Sequence, residues 1–270
     1  MNNPAPASCY LCDSHSFEVI MDGEYSFFPV EGKSVPFRAV RCRTCGFAIT
    51  DPAPTASYEG NQIVEDDEHL VNSGRYRIRR LRKYLSRETR MLELGCSTGY
   101  GLDEAKRYGV LAPIGVELCQ ASALAGRQLG RDIRSVPLDE CAFSEASFDI
   151  VQAHHTLEHI QTLKETIAEI QRILKPGGLF YITQPTYDSP FVRDSNWKGW
   201  FPQEHYWHFT KRTLASLLSQ QGFNLLTYNC PLHTEYATAR NWLYPAKRIF
   251  KAAVKYARLG DMVDAIFVRR

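Results

Sequence analysis

The chain has 270 residues, 44% hydrophobic and 23% charged, with a formal net charge of +2. That length buries one sizeable core with room for a small appended module, and the near-neutral balance argues against a dedicated polyanion binder. No apolar run of about 18 residues is present to cross a bilayer, and "MNNPAPASCY" lacks the basic start and apolar block of a secretory signal. A cytoplasmic location is expected, where eight cysteines serve as ligands or buried residues rather than disulfides.

The first elements in the chain are two C-x-x-C knuckles, Cys9/Cys12 in "CYLC" and Cys42/Cys45 in "CRTCG". Two residues between thiolates let both sulfurs face one ion from a tight turn, so the four cysteines predict a closed tetrahedral zinc site with no open position for chemistry. Between them, alternating aromatic, branched and polar residues around Gly23 and Gly32 predict short antiparallel strands. Residues 1–50 are therefore read as a zinc ribbon. Cys96, Cys119, Cys141 and Cys230 are single and read as small buried hydrophobes.

Residues 51–90 hold a proline-containing connector and the basic stretch "SGRYRIRRLRKYLSRETR". Ile78, Leu81, Tyr84 and Leu85 recur at helical spacing, which predicts an amphipathic helix with arginines on its wet side, or with Arg75, Arg77 or Arg79 turned to an acidic substrate.

From residue 91 onward strands and helices alternate: "RMLELG", "YGLDEAKRYG", "PIGVEL", "CQASALAGRQLG", "SFDIVQAHH", "TLKETIAEIQRILKPGG" and "GLFYITQP". This alternation predicts βαβ units and a largely parallel sheet covered on both faces, with ligands at the carboxyl ends of the strands. The loop "LELGCSTGYG" has Gly95, but Ser97 and Tyr100 stand where a dinucleotide fingerprint needs glycine. Glu93 before the turn would repel phosphate and attract a cation. S-adenosylmethionine, with an ammonium, a sulfonium and an adenosine, suits such a loop, and Glu117, about twenty residues on, supplies an acid for the ribose.

The ordered series "LELGCSTGYG", "GVEL", "FDIVQAHHTLEHI" and "LKPGGLFYITQP" resembles the motif series of class I S-adenosylmethionine-dependent methyltransferases over roughly residues 75 to 228. "CRTCGFAITDPAPT" resembles the zinc ribbon that precedes this domain in a subset of bacterial small-molecule and saccharide methyltransferases. "FPQEHYWHFTKRTLASLLSQQGF" is similar to the segment that follows the "GLFYITQP" strand in that group. The resemblance implies an α/β, Rossmann-like, mainly parallel sheet whose antiparallel last strand is "DAIFVRR". It divides the chain into the ribbon, the connector with the basic helix, and a methyltransferase domain over 91–270 with an aromatic and histidine-bearing insertion at about 186–210.

The same resemblance assigns cofactor contacts. Glu93, Gly95 and Gly99 would frame the methionine end, with Ser97 in place of a more usual glycine. Glu117 would take the ribose hydroxyls, Leu118 would line the adenine, and Leu138, Asp139 or backbone would complete that contact. His154 and His155 would sit beside the sulfonium.

Methyl transfer is an in-line displacement on an activated donor, so positioning supplies much of the acceleration. A hydroxyl acceptor also needs a base, for which His154, His155, His205 and His208 are candidates, while His159 in "LEHI" reads as a capping or core contact. His205 and His208 neighbour Tyr206, Trp207 and Trp200, either a wall for stacking on a sugar or a packed lid. A catalytic metal on His205, His208 and Glu204 finds no further ligand in the sequence to complete it.

The expected function is methyl transfer to a small molecule, nucleotide-linked sugar or glycan, most simply at oxygen. An rRNA or tRNA methyltransferase using the ribbon and arginine-rich helix, and a non-catalytic S-adenosylmethionine-binding protein, are the alternatives. The stretch 245–258 intersperses Lys247, Arg248, Lys251, Lys255 and Arg258 with Ile249, Phe250, Val254 and Tyr256. It is expected either to rest on an anionic membrane surface or to pack on the sheet with a wet basic face.

Overall fold

The computed structural model describes residues 7–30, 32–54, 68–232 and 244–270. At the N-terminus β1 (Phe17–Val30), β2 (Lys33–Cys42) and β3 (Ala48–Thr50) form an antiparallel sheet, with Phe17 opposite Cys42 and Val40 opposite Ile49. The strands between the knuckles are longer than their glycines suggest. Gly23 lies within β1 opposite Phe37, and a Cβ there would stand 3.1 Å from Ser195 Oγ. Glycine at this position admits the close approach of a distant segment instead of making a turn.

The chain continues through α1 (Glu68–Leu81), β4 (Met91–Leu94), α2 (Tyr100–Arg107), β5 (Ile114–Val116), α3 (Gln120–Gln128), β6 (Asp132–Arg134) and β7 (Phe148–His154). It then forms α4 (Leu163–Ile173), β8 (Leu174–Pro185), β9 (Trp207–His208), α5 (Lys211–Gln220), β10 (Phe223–Asn229), α6 (Tyr244–Tyr256) and β11 (Met262–Arg269). A seven-stranded sheet runs β10-β11-β8-β7-β4-β5-β6. The strands from β4 to β8 are parallel, and β11, the expected last strand, is antiparallel to both neighbours.

The helices follow their apolar periodicity. In α4, Leu163, Ile167, Ile170 and Ile173 are buried on one stripe, each contributing about 1.5–3 kcal/mol relative to exposure. This helix stops at Ile173, short of the expected "KPGG", because Pro176 has no N–H for Arg172 and disfavours a helical Lys175. Leu174 instead opens β8, opposite Phe148. The basic helix likewise ends at Leu81 and passes into a single 3-10 turn, 82–84. In α6, Val254 is buried while Ile249 and Phe250 are exposed, and Lys255 Nζ lies 2.9 Å from Tyr76 Oη. The side chains of Lys247 and Arg248, and the connector beyond residue 54, lie outside the described residues.

The segment between β8 and β9 ties the two sheets together. β9 pairs with β3, Ile49 opposite Trp207 and Ala48 opposite His208, so the N-terminal sheet has the order β1-β2-β3-β9. Ser195 donates to Glu24 O at 2.7 Å, and Ser26 N–H donates to Asn196 Oδ1 at 3.0 Å. Cys9, Leu11, Cys42 and Phe47 share one apolar core with Ile167 of α4 and Leu214 of α5. Tyr10 closes the seam: its ring lies 4.5 Å from that of Trp207, and its hydroxyl accepts from Lys164 N at 2.7 Å.

Candidate active site

The carboxyl ends of β4, β5 and β7 converge, as the open face of a parallel sheet requires. After β4 the backbone turns through left-handed conformations at Gly95 (φ 70°), Ser97 (φ 50°) and Gly99 (φ 91°). A Cβ on Gly95 would stand 2.4 Å from Thr156 Oγ1, the hydroxyl that donates to Leu94 O at 3.1 Å. Glycine is therefore required there. Ser97 adopts its conformation without that freedom, at a cost on the order of 1 kcal/mol, and its amide donates to Glu117 Oε2 at 2.8 Å.

Glu117 follows β5 and is 6% exposed. Its other oxygen accepts from Cys119 N at 2.8 Å. Burial pushes its pKa up, and the amide donors oppose the shift. The two amides hold the carboxylate in one orientation across the turn. Next to it Leu118 is 47% exposed; beyond β6, Leu138 is buried and Asp139 is exposed at the start of a 3-10 turn.

Glu93 is not at the open mouth of the site. Its carboxylate is 1% exposed and accepts from Arg77 Nη2 at 2.7 Å. Arg77, expected on a wet face, is thus an interior residue of α1 that neutralises the acid under the turn. Arg77 Nη1 also donates to Ser73 Oγ at 2.7 Å, and Ser73 Oγ lies 2.9 Å from His154 Nε2. The other ring nitrogen of His154 bonds Thr183 of β8. Both ring nitrogens of His154 are therefore committed to hydroxyls, Ser73 on one side and Thr183 on the other. Neither Ser73 nor Arg77 belongs to the motif series, and Thr183 lies in "LKPGGLFYITQP" with nothing local to mark it as a partner of His154; only the spatial meeting of α1 with β7 and β8 reveals the three together.

His155 is the next residue and differs sharply. Its backbone is left-handed (φ 47°), an uncommon conformation for a non-glycine residue. Its Nδ1 lies 3.3 Å from Oε1 of Glu158, a fully buried carboxylate on the 3-10 turn 157–159. The arrangement is an imidazole held by an acid at the end of a sheet strand, the geometry of a base and its orienting group.

His205 and His208 are brought close to that turn but face inward, 5% and 4% exposed. His205 Nδ1 lies 3.0 Å from Gly199 O. Thr50 donates to the His205 carbonyl at 2.7 Å, so its oxygen accepts from His208 Nε2 at 2.8 Å. Burial lowers the pKa of both imidazoles, and burial with the neighbouring His205 lowers His159 to about 3. The histidines of the inserted segment are thus packed inside it, with Trp200 4.8 Å from the His208 ring.

At the other end of β9 the knuckles meet. Cys9 and Cys45 sulfurs are 3.5 Å apart, Cys12 and Cys42 sulfurs 3.6 Å, and all four lie within 4.8 Å of one another. Four thiolates about 2.3 Å from a tetrahedral zinc stand roughly 3.8 Å apart, so the donor set fits that ion.

The strand order, the glycine turn after β4 and the carboxylate after β5 together define the class I methyltransferase architecture. Residues 70–228 match the family described as "Methyltransferase domain", and the chain belongs to that family. It is 33% identical over 101 residues to a "Probable S-adenosylmethionine-dependent methyltransferase" of Mycolicibacterium smegmatis, covering 35% of this chain and 37% of that protein. It is 24% identical over 181 residues to a ubiquinone biosynthesis O-methyltransferase of Methylobacterium nodulans, covering 58% and 72%. The chain spans 37%, 44% and 36% of the lengths of three of its curated relatives.

Among solved structures, the fold is similar to an S-adenosylmethionine-dependent methyltransferase from Mesorhizobium loti, with 18% identity, a TM-score of 0.53, and 71% of this chain and 96% of that one covered. It is also similar to a chain in the complex of the Haloferax volcanii Trm112 methyltransferase activator with a methyltransferase, at 14% identity and a TM-score of 0.57, covering 75% and 92%. No helix among the described residues is long and apolar enough to cross a membrane.

Proposed function

We propose that the chain transfers the methyl group of S-adenosylmethionine to a hydroxyl of a small-molecule or saccharide acceptor, with an anionic compound such as a nucleotide-linked sugar as the preferred class. In this reading Glu117 holds the ribose hydroxyls, the turn at Gly95, Ser97 and Gly99 holds the methionine end, and Leu118 and Leu138 cover the adenine with Asp139 at the rim. Glu93 supports the turn from beneath, and His154 braces the end of β7. His155 accepts the hydroxyl proton at Nε2, its Nδ1 being committed to Glu158. The four cysteines hold a structural zinc.

The observation that carries the acceptor class is a cleft of about 710 Å³ between the N-terminal sheet and the segment after β8. Its lining includes Arg41, Arg43, Lys211, Arg212, Tyr187 and Trp200. The volume falls within the roughly 300–1,000 Å³ of small-molecule sites. Glu18 is engaged by Arg41 and Arg43, and with Asp188 also in the lining the four basic side chains still outnumber the two carboxylates, which favours an anionic group. The test is acceptor kinetics. With nucleotide-linked sugars, Lys211→Ala is expected to raise KM roughly threefold to tenfold at unchanged kcat; an unchanged KM for every anionic acceptor would remove the cleft from the reading.

Cofactor binding is tested separately. Glu117→Ala is expected to weaken S-adenosylhomocysteine binding by about 1–3 kcal/mol, since charge-assisted hydrogen bonds to the ribose are lost. Calorimetric titration reads this directly, and wild-type affinity in the variant would sink the assignment.

A further inference from the structure

The turn after β7 and the segment before β9 meet in a cluster that methyl transfer from S-adenosylmethionine does not by itself require. Glu158 and His159 come from the turn 157–159, and His205 from the inserted segment. One ligand atom from each lies within 4.8 Å of the others. The rings of His159 and His205 are 4.6 Å apart and nearly perpendicular, at 88°.

Three details distinguish this cluster from ordinary packing. Glu158 is 1% exposed, and while Oε1 meets His155, the buried Oε2 has no hydrogen-bond partner. A buried carboxylate oxygen without a donor is costly and calls for a cation or an added donor. His205, itself 5% exposed, directs Nδ1–H to the Gly199 carbonyl at 3.0 Å, which leaves its lone pair on Nε2. A metal-binding imidazole is characteristically oriented in this way, its second nitrogen donating to a backbone carbonyl or carboxylate. The third detail is Glu204, whose Oε2 lies 3.5 Å from Nδ1 of His159 and sets a second carboxylate beside the cluster.

We propose that Glu158, His159 and His205 bind a divalent transition-metal ion at the acceptor end of β7. Two imidazoles and one carboxylate suit zinc, manganese, iron or cobalt, and unlike the four-cysteine site they leave coordination positions for other ligands. The ion satisfies Glu158 Oε2 and links the segment before β9 to the turn that follows β7 and His155. That it also engages the acceptor oxygen rests on the hydroxyl-methylation reading; its binding does not.

The test is titration of the full chain, zinc already bound at the four cysteines, with Co²⁺, followed by visible absorption and metal analysis. The expected result is one further equivalent with ligand-field bands and no thiolate charge-transfer band. Glu158→Gln and His159→Gln should each weaken that equivalent at least roughly tenfold, with S-adenosylhomocysteine affinity unchanged as the check on folding. If the wild type takes up no further equivalent, or both variants bind it as the wild type does, the site is refuted. Should either variant fail to fold, Mn²⁺ broadening of the His205 ring resonances in the wild type decides, and its absence refutes the site. No acceptor enters these measurements, so failure of the metal site is separable from failure of the methylation reading.

Discussion

His155→Asn is expected to lower kcat for a hydroxyl acceptor by roughly 10²–10⁴-fold while leaving S-adenosylhomocysteine affinity nearly unchanged. Asparagine is among the few side chains that tolerate the left-handed backbone found here (φ 47°), so the substitution removes the imidazole without forcing the turn to rearrange. Its amide cannot take a proton at neutral pH. The adjacent residue provides the control: His154 is bonded by Ser73 and Thr183, so its replacement should lower stability along with activity. Steady-state kinetics paired with calorimetry separates the two, and wild-type turnover in His155→Asn would exclude it as the base.

Cys42→Ser is expected to abolish stoichiometric zinc binding at the knuckles and to destabilise the whole chain by about 4 kcal/mol or more, the range reached when a structural metal site is lost. The effect should not stay local, because Cys42 is fully buried in a core shared with α4 and α5. Loss of the ion would loosen Tyr10 and Phe47, whose rings pack against Trp207. Metal analysis and thermal unfolding report the two consequences, and full zinc content with an unchanged melting temperature would overturn the four-thiolate site.

What the sequence made legible was local or periodic. The strand and turn from residue 91, the acid after β5, the helical stripe of α4 and the last strand "DAIFVRR" were each readable because a few neighbouring residues carry the pattern. The meeting of the four cysteines was readable because two C-x-x-C knuckles at that separation are spaced to converge. What was hidden depends on distant partners. Arg77 sits in a run of basic residues and only tertiary packing turns it toward Glu93. β6 is three residues long with Ile133 alone buried, too short for periodicity to show. β9 is two residues long and exists because β3, more than 150 residues earlier, supplies its hydrogen-bonding edge. His205 and His208 read equally as part of a stacking wall or of a packed lid, because composition cannot distinguish an aromatic surface from an aromatic interior.

That β9 strand sets a limit on modularity. Because the first sheet is completed by residues 207 and 208, the N-terminal module is not a cassette that can be detached or exchanged. A truncation starting near residue 68 would strip β9 of its partner and uncover the faces of Trp207 and Phe209, both of which pack on Phe47. Grafting the module onto another methyltransferase would require transplanting the segment after β8 as well. Any recombination of the N-terminal sheet must therefore move both pieces as one unit, which ties the four-cysteine knuckles to the segment between β8 and β9.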